Sequence, residues 1–117
     1  MPPLGKHDVV ACLPITVQTL DADPGLVVKS SAGLLYGFAL QNAAAAITYV
    51  QVFDVDEVTD VNLGTTVPTW VFGMAASAPL AMSFETPVKF KTGMVVFATT
   101  TPTGNTGATV HGVFFIA

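Results

Sequence analysis

Ile47-Thr-Tyr-Val-Gln-Val-Phe-Asp-Val55 is the clearest strand signal in this chain. It is rich in β-branched and aromatic side chains, which fit a pleated, half-buried surface. With a side-chain period of two, Tyr49, Phe53 and Val55 share one face, and Val50 and Val52 share the other. Both faces are apolar, whereas a strand of an antiparallel sandwich normally turns a polar face to water. This stretch therefore predicts a strand that is covered on both sides.

The same reading extends outward in both directions. Upstream, Ile15–Leu20 alternates, Asp23-Pro24-Gly25 has the chemistry of a tight turn, and Leu26–Leu40 is extended. In that last run Leu34, Tyr36, Phe38 and Leu40 are placed on one face, and Leu35, Gly37 and Ala39 on the other. Gln41-Asn42 and four alanines read as a connection too short for a stable helix. Downstream come Val67–Met74, then Leu80–Phe84 with Pro87 as a break before Val88–Phe90, then Met94–Thr99 and Val110–Ala117. Asp54–Thr66 and Thr100–Thr109 read as polar loops. Seven or eight short strands separated by turn residues predict an all-β antiparallel sandwich or barrel. Residues 1–14, with Pro2, Pro3 and Pro14, read as an extended N-terminal arm, and residues 15–117 as the β domain.

Composition says what must happen to the faces. The 117 residues form one domain's worth of chain, 51% hydrophobic and only 10% charged, with a mean hydropathy of +0.63. Ordinary domains carry about 25% charge, and one this small buries roughly two thirds of its unfolded surface. The excess apolar surface calls for cover by other subunits, a larger assembly or lipid. Strands apolar on both faces, 34–40, 50–53, 94–98 and 113–116, locate that excess. The residues expected at an interface are Leu4, Val9 and Val10 from the arm and Leu35, Val50, Val52 and Phe115 from outward strand faces.

Several classes are set aside. Ser30–Phe53 is uncharged and long enough to span a bilayer, but Gln41 and Asn42 near its middle argue against a membrane helix. The start, Met-Pro-Pro-Leu-Gly-Lys, lacks the apolar core of a secretory leader. With no arginine, four lysines and a net charge of −4, no basic face for nucleic acid is expected. Cys12 is the single cysteine and reads as a small apolar side chain. His7 and His111 lie at opposite ends of the chain, too few ligands for a transition-metal site. No catalytic motif is present, so no enzyme and no cofactor are expected.

Two constellations remain. Asp54, Asp56, Glu57 and Asp60 cluster as oxygen ligands for calcium would, although their spacing is not that of a helix–loop–helix calcium loop. A solvated acidic loop that blunts a sheet edge is the preferred reading, and no metal site is expected. Trp70, flanked by Val71 and Phe72, reads as core; Trp70 or Tyr49 exposed beside acids such as Asp54 would instead suggest a carbohydrate-binding module. Met74, Met82 and Met94 read as core filler.

Val27-Val-Lys-Ser-Ser-Ala-Gly-Leu-Leu-Tyr-Gly37, Asn42 and Tyr49-Val-Gln-Val-Phe53 together resemble the opening of small virion structural proteins of tailed bacteriophages. Gly64-Thr-Thr with Pro68, Pro79-Leu-Ala-Met-Ser-Phe84, Phe90-Lys-Thr-Gly-Met94 and Ala98-Thr-Thr extend the resemblance over about residues 27–117. It implies a compact, jelly-roll-like sandwich and a structural role, with no catalytic motif to carry across. The expected function is a capsid decoration, or cement, protein on the virion surface, packing as a homotrimer against itself and the major capsid protein. A tail, neck or fibre component is the alternative within the virion.

Overall fold

The computed structural model describes residues 12–23 and 25–117. It contains eight strands: β1 (Leu13–Leu20), β2 (Leu26–Lys29), β3 (Gly33–Asn42), β4 (Thr48–Phe53), β5 (Trp70–Met74), β6 (Pro79–Phe90), β7 (Met94–Thr99) and β8 (Val110–Ile116). They form two four-stranded sheets, sheet A in the order β1-β8-β3-β6 and sheet B in the order β2-β7-β4-β5. β1 pairs with β8, β2 with β7, β3 with β6 and β4 with β5, all antiparallel. The chain is thus one long hairpin wrapped into two layers and closed by β3–β8 and β4–β7 pairing. This is the eight-stranded jelly roll, two interlocked Greek keys, and the all-β antiparallel sandwich expected from the strand spacing.

Leu13 and Pro14 belong to β1, so the strand domain starts two residues before the expected boundary at 15. Residues 1–11, including Leu4, Val9 and Val10, lie outside the described residues, as does Pro24 of the expected turn. Leu26–Leu40 divides into two strands at Ser30–Ala32, one in each sheet. The Ser30–Phe53 stretch is likewise spent on strands, and no helix among the described residues is long and apolar enough to cross a membrane.

The core lies between the sheets. Sheet A supplies Leu35, Phe38, Leu40, Phe114 and Ile116; sheet B supplies Val50, Val52, Met74, Met94 and Val96. A fully buried side chain of this size contributes about 1.5–3 kcal/mol. Leu35, Val50 and Val52 are 0% exposed, which corrects their assignment to an outer interface. Each has a separate cause. In β4 the alternation was right and its sense inverted: Val50 and Val52 face the other sheet, while Tyr49, Gln51 and Phe53 face outward. In β3 a bulge shifts the phase: Leu35 pairs with Ile116, but Gly37, two residues on, pairs with Phe115. A bulge moves one residue out of alternation, so Leu35, Phe38 and Leu40 all point inward.

The partner strand β6 absorbs its own irregularity. Leu35 pairs with Val88 and Gly37 with Ser83, leaving Phe84–Pro87 opposite a single residue of β3. Pro87 therefore does not end the strand. β6 is an edge strand, and a proline there leaves no ladder bond unmade. Met82 is 41% exposed at this edge, so of the three expected filler methionines only Met74 and Met94 are buried.

Sheet B is covered on its outer side by the chain itself. Phe53, Val95 and Phe97 form a second buried cluster there, roofed by Val55, Val58, Val61 and Leu63. Phe53 and Phe97 meet edge to face with centroids 5.7 Å apart, an arrangement worth about 0.5–1.5 kcal/mol beyond burial. The loop that reads as polar thus hides an apolar underside, pinned by one 3-10 turn at Val58–Asp60. Beside it, buried Gln51 donates from Nε2 to Thr99 Oγ1 at 2.8 Å and to the Gly104 carbonyl at 3.0 Å, tying the 100–109 loop down.

Candidate interaction surface

The acidic cluster divides into two parts. Asp54 is a structural carboxylate: its Oδ2 accepts the Lys91 N–H at 2.9 Å, and its Oδ1 accepts those of Thr92 at 2.8 Å and Gly93 at 3.2 Å. It thereby organises the turn between β6 and β7. Gly93 is needed there, since a Cβ would lie 2.6 Å from the Val55 carbonyl oxygen and 2.8 Å from that of Lys29. Asp56, Glu57 and Asp60 stay in the loop, where the Asp60 carboxyl is pushed up from its ordinary value, first by its hydrogen bond with Asp56. Among the described residues no three His, Cys, Asp or Glu side chains are placed to hold a metal ion. Asp54, Asp56, Glu57 and Asp60 are thus not gathered into one ligand set, and Asp54 is committed to backbone donors.

Partial desolvation pushes the Asp54 carboxyl up, but the three backbone donors and the nearby Lys91 outweigh it, and the group is held below its ordinary value. An acid whose pKa is lowered by folding stabilises the folded state above its unfolded pKa and loses that contribution as pH falls through the folded one. Asp54→Ala is therefore expected to cost about 1 kcal/mol at pH 7, less than the roughly 1.5–3 kcal/mol usual for charged hydrogen bonds because the carboxylate faces solvent. In urea melts the gap between the two proteins should narrow from pH 7 to pH 3. A gap that holds constant would show that the charge is not what organises the turn.

Trp70 does not present its ring to a ligand. It packs at the open β5–β6 side of the sandwich against Phe38, Phe72 and Phe84, with centroids 6.4, 5.3 and 5.8 Å away. Trp70 pairs with inward-facing Val52, whereas Tyr49 lies over Gly73 on the opposite face of sheet B. The two rings cannot form one stacking platform, and Asp54 is engaged elsewhere. Trp70 is half-buried, packed against the core rather than standing exposed beside the acids.

The outer face of sheet A is different in kind. Register places Pro14, Phe115, Gly37 and Ser83 in one row across its four strands, and Thr16, Val113, Ala39 and Ala81 in the next. No residue in either row is charged. Small side chains at 37, 39, 81 and 83 leave a trough between Tyr36, Phe115 and the edge strand, a cleft of about 560 Å³ that Cys12 also lines. Gly37 forms its floor, where the Met82 carbonyl leaves no space for a Cβ. Comparison with known proteins finds no matching family model, curated protein or solved structure.

Of the residues expected at an interface, Phe115 alone among those described lies on this outer face, half-buried. The small residues that shape the trough were not singled out from sequence. Their signal was available: the second face of 34–40 is made of small side chains, which create a depression only when a large neighbour such as Phe115 stands beside them. Charge is kept to the margins. Glu85 and Lys89 are exposed on β6, and with Pro87 they guard that edge against adding a further strand.

Proposed function

We propose that this chain is a structural virion protein, a capsid decoration subunit that associates with its own copies and with a head shell. The observation that carries the reading is the uncharged, trough-forming outer face of sheet A. Sheet B is roofed in part by the chain's own loop, which leaves the outer face of sheet A as the uncovered sheet face; single apolar side chains are also exposed elsewhere, at Leu13, Val27, Ile47, Val67 and Met82. Uncharged apolar patches of this kind mark protein contacts. The virion setting rests on the resemblance of residues 27–117 to small phage structural proteins, and the eight-stranded jelly roll is the architecture that resemblance implies. A trimer clustered at a symmetry axis of the shell would add contact area where capsomers meet.

The test is a truncation that respects the fold. Removing residues 1–11 leaves β1 whole, so the variant should keep its far-ultraviolet spectrum and melting behaviour. It should bind head shells about tenfold or more weakly in co-sedimentation, as loss of one linked contact does. Light scattering of the intact chain should show an oligomer. A monomeric intact chain that fails to co-sediment with shells would overturn the proposal.

A further inference from the structure

The trough on sheet A opens beside the point where the described chain begins. Cys12, its first described residue, lines the trough together with Phe115, Gly37 and Ser83. Eleven residues precede Cys12, among them Leu4, Val9 and Val10. An extended segment of that length reaches roughly 36–40 Å, whereas the trough crosses three strand spacings, roughly 14 Å. We infer that the trough is the seat for residues 1–11 of a second copy of this chain, so that copies are joined by exchange of N-terminal segments. This rests on the self-association proposed above and names the surface and the segment that carry it.

Chemistry matches the two parts. The trough is lined by small and aromatic residues with no charge, and the segment offers Leu4, Val9 and Val10 to fill it. Pro2 and Pro3 have no N–H that would need a partner on an apolar floor. The sequence also favours a neighbour over the chain's own trough. Val9-Val10-Ala11 contains no turn-forming residue with which to reverse direction directly before Cys12, and a β-branched pair favours extension. Donor and acceptor surfaces differ, so two copies can swap segments reciprocally, or several can pass them head-to-tail around a closed ring.

Disulfide trapping distinguishes the outcomes. In a Cys12→Ser background of the full chain, one protein carries Val9→Cys with an affinity tag and a second carries Ala39→Cys. Ala81→Cys serves as an alternative acceptor in case Ala39→Cys does not fold. After mixing and mild oxidation with diamide, a tagged-to-untagged disulfide should form about tenfold more than with a control cysteine at exposed Thr103, through the raised local concentration. Linkage confined to a single chain in the doubly substituted Val9→Cys/Ala39→Cys protein would overturn the inference, because each trough would then hold its own segment. Linkage at the control level in a mixture that light scattering shows to be oligomeric would overturn it too, leaving self-association standing. A monomeric mixture without linkage would sink both.

Discussion

Replacing Phe53 by alanine is expected to cost about 3–5 kcal/mol, the usual loss for a buried phenylalanine. Phe53 is 1% exposed, on the outer face of sheet B, where a sandwich would ordinarily meet water. Its ring is held by Phe97 and roofed by Val55, Val58, Val61 and Leu63. Truncation both opens a cavity and removes the anchor of the 54–66 loop. Against a total stability of about 5–15 kcal/mol, the midpoint of thermal unfolding should fall by about 10–20 °C. The loop should become the first site of limited proteolysis. A loss below about 1 kcal/mol, the scale of an ordinary surface substitution, would show that the loop does not seal this face, and would return sheet B to the list of surfaces awaiting a partner.

Asn42→Ala is the second large effect, expected at about 2–4 kcal/mol from loss of a buried hydrogen-bond network. Asn42 is 0% exposed. Its Nδ2 donates to the carbonyls of Ala46 at 3.0 Å and Ala75 at 2.9 Å, with a longer contact to Met74 at 3.4 Å. Its Oδ1 accepts the Ala44 N–H and the Thr48 hydroxyl, both at 2.9 Å. One side chain therefore ties the connection between β3 and β4 to the end of β5. Alanine would leave those buried partners unsatisfied in a low-dielectric interior, where that is costly. Asn42→Asp separates donor from acceptor roles. It keeps the acceptor oxygens but sets a carboxylate against main-chain carbonyls, so its pKa should rise on folding. The aspartate variant should then be more stable relative to wild type at pH 4 than at pH 7, as linkage requires for an acid whose pKa is raised. Equal destabilisation at both pH values would refute this account of the network.

Much of the fold was legible because its strands are short and bounded by turn residues. Met94–Thr99 is the clearest case: a continuous apolar run that is buried on both faces, Met94, Val96 and Ala98 toward sheet A and Val95 and Phe97 under the loop. What escaped sequence reading has physical causes. Periodicity shows that Val50 and Val52 share a face, but only the partner sheet decides which face is inside. The bulge at Tyr36 breaks the period-two count in the middle of β3, and no glycine signal distinguishes it from the other glycines of that strand. Val55, Val58, Val61 and Leu63 lie among acids and threonines at spacings that fit neither strand nor helix, so their shared underside appears only once the loop is folded. Asn42 and Asp54 looked like loop chemistry because a side chain that serves backbone groups distant in sequence leaves no local pattern. The apolar excess was legible only as a quantity, because composition carries no information on which sheet face the chain's own loops will cover.

The pairing of β1 with β8 has a consequence for how the chain is made. Leu13 meets Ile116, and Val17 meets Gly112, so the first described strand has no ladder partner until the last one exists. A ribosome releases the chain from its N-terminus, and β1 must wait, unpaired, until β8 has emerged. Folds dominated by such distant contacts form slowly, and unpaired strands are open to misassembly in the meantime. Completion of this jelly roll thus waits for β8, and that last pairing brings both ends of the domain together at the rim of the trough.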